Sequence, residues 1–270
     1  MTMEISDRLC PVLYIPHGGG PLPLLGDESH QRMVDFLKEI TPSLGRPTSI
    51  LLISAHWEED QATITSGKSP QLIYDYFGFP EESYNIEYPA IGNSVLAARI
   101  CRLLEVSGIE VKKDDQRGFD HGMFVPLKIM YPQADIPCVQ LSLVQSLDAE
   151  THLKIGKALS ALREENILVI GSGFSFHNLR AFRANAENLA HDKNDAFEYW
   201  LIDTCTSENI SSDERNRRLA DWEEAPHARY CQPREEHLLP LHVCCGMSNS
   251  AAKLVFEDKI MGAKASAFLW

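Results

Sequence analysis

Cysteine is sparse in this chain: seven occur in 270 residues, an odd number, and no two stand as a Cys-x-x-Cys pair. That excludes a disulfide framework and a ribbon-type zinc site, and it leads to the expectation of reduced thiols in the cytoplasm. Positive charge is also short. Lys and Arg total 25 against 38 Asp and Glu, a formal net charge of −13. This argues against nucleic acid as a partner and against docking on an anionic membrane surface. Long apolar runs are missing, since stretches such as Ile50–Ile53 and Ile167–Ile170 are far too short to span a bilayer. The opening MTMEISDRLC has no basic region followed by an apolar one, so no signal peptide is expected. The chemical signatures of several large enzyme classes are absent as well. There is no Gly-x-x-x-x-Gly-Lys-Ser/Thr phosphate loop, and no Gly-x-Ser-x-Gly elbow to anchor a hydrolase triad. Gly171-Ser172-Gly173 resembles the start of a dinucleotide loop, but position 176 is Phe where the third glycine belongs.

What is present is an alternation of apolar β-type runs with amphipathic helical ones. With no repeat or Gly/Ser-rich linker to divide the chain, this predicts an α/β fold, a single domain over 1–270 with a central mixed sheet flanked by helices. Strands are expected at Val12–Ile15, Ile50–Ser54, Ile109–Lys112, Cys138–Leu143 and Ile167–Ile170, with a hairpin after Leu254. Helices are expected on the face Met33, Phe36, Leu37 and Ile40, then at Val95–Leu104, Val125–Met130 and His152–Leu162. Two more should lie within 182–224, and a last one at Glu235–Gly246. Cys244 and Cys245 fall in that last apolar helix as small buried thiols, whereas Cys231 looks more exposed.

The chemistry lies in the placement of histidine. His17 follows the first strand through Pro16 and precedes three glycines; His56 directly follows Ile50–Ser54; His177 follows Ile167–Ile170 after a short turn. His121 lies in a loop ahead of a helix, and His237 near the start of another. A single histidine is more often a hydrogen-bonded core or surface residue than a ligand. Three at successive strand ends differ, because an open α/β sheet brings those ends together where ligands bind. Converging imidazoles suit Zn or Fe far better than Mg or Ca. Trp57, Phe119, Phe174 and Phe176 flank these histidines, and they can wall a pocket for an aromatic ring or simply fill the core.

Five motifs carry a family resemblance: PHGGGP at 16–21, SAHWE at 54–58, DHGMFVPL at 120–127, GSGFSFHNL at 171–179 and PREEHLLPLHV at 233–243. In this order they resemble the class III extradiol ring-cleaving dioxygenases, most closely the DOPA 4,5-dioxygenase-like branch. The resemblance covers nearly the whole chain. It implies a single α/β catalytic domain with a metal at one sheet edge, and ring opening of a catechol-type substrate by O2 with non-haem Fe(II), as in aromatic compound catabolism. It makes His17, His56 and His237 metal ligands, with Glu236 as the alternative third ligand. It makes His177 the catalytic base or a fourth ligand, and His121 a second active-site histidine that handles the substrate hydroxyl or oxygen. One departure stands at Gln232, near which members of the branch often carry a histidine, and this bears on which catechol is bound.

Such a histidine set also holds Zn tightly, because Zn lies above Fe(II) in affinity, so purified protein can carry Zn and be inactive. Two other functions remain open at this level: a zinc-dependent hydrolase or amidase, and a non-enzymatic metal-binding relative on the same scaffold. The expected partners are a small catechol and O2, and the expected assembly is a monomer or small homo-oligomer.

Overall fold

The computed structural model describes residues 9–183 and 189–270. In chain order its main elements are β1 (Val12–Pro16), α1 (Gln31–Ile40), β2 (Ser49–Glu59), β3 (Ala62–Thr65), α2 (Ser94–Val106), β4 (Val111–Asp114), α3 (His121–Met130), β5 (Cys138–Val144), α4 (Ala149–Leu159), β6 (Ile167–Gly173), α5 (Leu179–Arg183), α6 (His191–Thr206), α7 (Ser212–Ala220), α8 (Ala228–Cys231), α9 (Leu239–Gly246), β7 (Lys253–Ile260) and β8 (Ala263–Leu269). The segment expected to carry two helices, 182–224, contains α6 and α7; its residues 184–188 lie outside the described ones.

The strands form one mixed eight-stranded sheet in the order β4-β3-β5-β2-β6-β1-β8-β7. Its centre, β5-β2-β6-β1, is parallel throughout, and the β7–β8 hairpin adds antiparallel to β1. β1 and β6 are buried at every position and mostly apolar, because elements pack on both faces of the sheet and neither face needs polar side chains for water. α9 is buried on every side, and its sequence LPLHVCCG is apolar apart from His242, whose ring nitrogens face the Leu238 and Leu219 carbonyls. Parallel strands place their C-terminal ends along one edge. His17, Ser172 and the turn to His177 therefore meet there. All seven cysteines are free and buried, Cys231 included, which corrects the expectation that it is exposed. No helix among the described residues is long and apolar enough to cross a membrane.

Three departures from the sequence expectation shape the site. β2 does not stop at Ser54. It runs on to Glu59, but its pairing with β5 shifts between Ile53 and Glu58, so His56 sits in an irregular stretch that leaves the ladder and faces the edge. α3 starts at His121 rather than Val125 and contains Pro126. Proline has no N–H to give the carbonyl four residues back, which frees Gly122 O, and the Ser172 hydroxyl donates to it. Finally, α9 begins at Leu239, not Glu235. The His237 carbonyl accepts from Phe174 N–H at 2.9 Å and from Tyr14 OH at 3.1 Å, so it is not available to a helical turn. A Cβ on Gly173 would stand 2.1 Å from that carbonyl, which is why β6 ends in glycine.

The β3 strand was not anticipated. Four residues are too short for a period to show, and β3 pairs with β5 at Ile64↔Leu141 only.

His152, on α4, makes the fold sensitive to acid. Its Nδ1 donates to Asp148 O at 2.7 Å, and its Nε2 accepts from Val144 N–H at 3.1 Å. Burial pushes it down from 6.5 to about 4, against the opposing pull of the Asp148 carbonyl. Below 6.5 the unfolded chain takes up a proton that the folded one refuses until about 4, so stability falls as pH drops through that window. At about 1.4 kcal/mol per unit, the loss from this residue approaches ~3 kcal/mol. Urea unfolding at pH 7 and pH 4.5 should show a falling midpoint, with a shallower pH slope in His152→Asn. An unchanged slope in that variant would remove His152 as a cause.

Candidate metal centre and active site

At the sheet edge five imidazoles gather over one cavity of about 760 Å³, lined by His17, His56, His121, His177 and His237. A ligating atom from each of His17, His56 and His237 lies within 4.8 Å of the others. His17 Nε2 and His56 Nε2 are 3.0 Å apart. Their outer nitrogens explain how they face each other. The Ser172 hydroxyl donates to Gly122 O, so at 3.1 Å from His17 Nδ1 it must accept that proton, which leaves Nε2 a bare lone pair. His56 Nδ1 faces Asp75 Oδ2 at 3.6 Å. His237 Nδ1 lies 3.0 Å from Glu236 Oε1, a carboxylate acceptor. Lone pairs converging at such distances repel unless a cation or proton lies between them. The donor set fits a borderline transition-metal ion such as Zn or Fe(II).

The electrostatics agree. Burial, followed by repulsion from the neighbouring imidazoles, holds His17 and His56 well below the ordinary histidine range. Burial and His177 bring His237 down to about 3. These rings are neutral at pH 7, as metal ligation requires. Burial alone would raise Glu236, but its hydrogen bonds with His177 and His237 outweigh that and keep it ionised.

His177 and His121 stand around this trio. His177 packs face to face on His237, with ring centroids 3.4 Å apart at 20°, and its Nδ1 faces Glu236 Oε1 at 3.1 Å. Its backbone N–H is held by Cys231 O at 2.8 Å. His121 lies 3.9 Å from His56 by ring centroids. Asp75 Oδ1 accepts both its backbone N–H, at 2.9 Å, and its Nδ1, at 2.8 Å. In each case a carboxylate takes the Nδ1 proton and leaves Nε2 for chemistry.

Asp75 was not found by sequence reasoning. It lies in an irregular stretch, Tyr74-Asp75-Tyr76-Phe77, where no period or motif marks it. Also missed was the tie between two of the motifs: buried Asp120 accepts from Ser54 Oγ at 2.7 Å and from Gln140 Nε2, and Ser54 Oγ accepts His56 N–H. Arg117 closes this network on Asp120 at 3.3 Å and stacks on Trp57. Of the four aromatics that flank the histidines, only Phe174 lines the cavity. Trp57, Phe119 and Phe176 are core residues, and Tyr76, Phe77, Phe79 and Phe182 form the aromatic wall instead. Gln232 does not line the cavity either; it is buried and donates to Phe174 O at 2.7 Å, bracing the turn before His177.

The family described as the catalytic LigB subunit of aromatic ring-opening dioxygenase matches residues 11–268. The chain belongs to this family. It is 38% identical to "Dioxygenase tasH" of Hapsidospora irregularis, over 97% of this chain and 86% of the relative. It is 37% identical to the 4,5-DOPA dioxygenase extradiol of Beta vulgaris, over 95% and 94% respectively. An uncharacterized protein of Escherichia coli K12 has the same fold, with a TM-score of 0.76 and 28% identity, covering 97% of this chain and 99% of that one. As a LigB-family member of the DOPA-dioxygenase-like branch, the protein is an extradiol ring-cleavage dioxygenase.

Asp75 is expected to matter through the His121 imidazole that it holds. Asp75→Ala should lower turnover about 10- to 100-fold, the usual effect of removing a partner that orients a site histidine. Turnover is to be compared at saturating metal, because Asp75 also faces His56 Nδ1 and its loss should weaken metal binding within the same range, while far-UV circular dichroism should remain as in the parent. A variant with unchanged kcat would show that His121 needs no orienting partner.

Proposed function

We propose that the protein is an Fe(II)-dependent extradiol dioxygenase that opens the ring of a substituted catechol with O2, and that the whole chain, 1–270, is its catalytic domain. The observation that carries the reading is the trio His17, His56 and His237, whose ligating atoms converge. Ser172 and Glu236 hold the Nδ1 atoms of His17 and His237, and the Asp75 carboxylate faces that of His56. These three would hold the ion. Bound Fe(II) supplies open coordination positions at which a catechol and O2 are brought together and charge passes between them.

The chain's own residues then do the proton work. His177 lies outside the trio, and its Nδ1 faces Glu236, so its Nε2 is the atom that takes the second catechol proton. An imidazole suits that task near neutral pH. His121, oriented by Asp75, serves the other side of the reaction by holding the substrate oxygen or returning a proton there. Zn binds the same donors more tightly than Fe(II), so protein isolated in air is expected to carry Zn and need exchange. Seven free cysteines fit a reducing compartment, the cytoplasm. The test is anaerobic reconstitution with Fe(II), followed by oxygen uptake and absorbance scans against a catechol panel. Oxygen uptake with a new chromophore for at least one catechol is expected, and none for any catechol would overturn the reading.

A further inference from the structure

We infer that the catechol this site takes carries an apolar extension, an alkyl or aryl group, and not a charged amino-acid side chain; this rests on the catechol reading above. Three independent observations point there. The first is size: a bare catechol at the histidines would leave most of a 760 Å³ cavity to water, whereas such volumes ordinarily enclose a drug-sized ligand. The second is the character of the outer cavity. Beyond the histidines the lining includes the apolar side chains of Leu22, Phe79, Met261, Phe174 and Phe182. At the mouth Phe77 is 89% and Leu179 53% exposed, two large apolar side chains left in water that a ligand's tail would cover. The Tyr76 hydroxyl is turned away to Ser83 O at 2.6 Å, so it offers no donor to a polar ligand.

The third observation is charge. Among the described residues, Arg234 is the one Lys or Arg lining the cavity, and it is already committed. Its guanidinium grips Glu58 in a two-pronged pair at 2.6 and 2.5 Å and reaches Glu236 Oε2 at 3.3 Å. A substrate carboxylate would have to break that fork and leave Glu58 unpaired at the mouth, or enter an apolar wall with no partner. An alkyl or aryl tail costs neither. 3,4-Dihydroxyphenylalanine, which carries an ammonium and a carboxylate, is the contrasting ligand.

The experiment is isothermal titration of the Fe(II)-loaded protein under nitrogen, so that binding is read without turnover, with catechol, 4-propylcatechol, 4-hexylcatechol and 3,4-dihydroxyphenylalanine. Kd should fall about two- to fourfold for each added methylene, the range for burying one in an apolar site. The amino acid should bind about 10-fold or more weakly than 4-propylcatechol, as expected for burying a charge without a partner. In Phe77→Ser/Leu179→Ser, whose changes lie on exposed side chains, the dependence on chain length should flatten. Equal or tighter binding of the amino acid, no dependence on chain length, no binding by any member, or an unchanged slope in the double variant would each overturn the inference. Admitting O2 afterwards separates the two claims. A binding series as described with no ring opening would overturn the catechol-cleavage reading and leave the apolar ligand site standing.

Discussion

Replacing any one of His17, His56 or His237 by alanine is expected to strip the protein of metal and abolish turnover. Removing an outer partner of a metal-bound histidine typically costs about 10- to 100-fold in affinity. Loss of a direct ligand should exceed that range, because two imidazoles cannot hold the ion against water. Metal content after Fe(II) loading under nitrogen is the measurement, and full occupancy in any of the three variants would remove that residue from the set. Glu236→Gln is the informative companion. Glu236 bridges His177 and His237 through Oε1, so its amide should cost affinity only within the outer-partner range. If Glu236→Gln lost its metal while His237→Ala kept it, the carboxylate and not the imidazole would be the third ligand. The geometry favours His237, because it is the residue grouped with His17 and His56 while Glu236 groups with His177 and His237.

In His177→Ala, turnover should fall about 100- to 10,000-fold, the range for loss of a general base, while the metal stays. Raising the pH should restore part of the rate, since the substrate then arrives already ionised and needs no base. His121→Ala should also be slow, but alkaline solution should not rescue it, because a group that holds or returns a proton cannot be replaced by hydroxide. The pair of pH–rate profiles separates the two roles. Rescue of His121→Ala alone would exchange them, and rescue of both would remove the distinction; loss of metal from His177→Ala would make that residue a fourth ligand.

Much of this site was written in the sequence. A histidine just beyond Val12–Pro16 and another just beyond Ile167–Gly173 can be read as partners from topology alone. Buried parallel strands are recognisable as short apolar runs, and their C-terminal ends must share an edge. The five motifs, one around each histidine, and the glycines that let backbones pass close were legible for the same reason: they are local. Other features depended on the folded chain. Asp75 reaches His121 across 46 residues and Ser172 reaches His17 across 155, and nothing near either residue in sequence announces the contact. Pro126 freeing a carbonyl for Ser172, and the His237 carbonyl bonding to β6 and Tyr14 so that α9 starts late, are decided by which backbone groups find partners first. The sequence left open whether the aromatics beside the histidines wall a pocket or fill the core, and Trp57, Phe119 and Phe176 fill the core. Tyr76, Phe77 and Phe79, from an irregular loop, close over the cavity instead. Residue type and spacing determined that histidines would meet at a sheet edge; tertiary packing alone decided what orients them and which side chains line the cavity beside them.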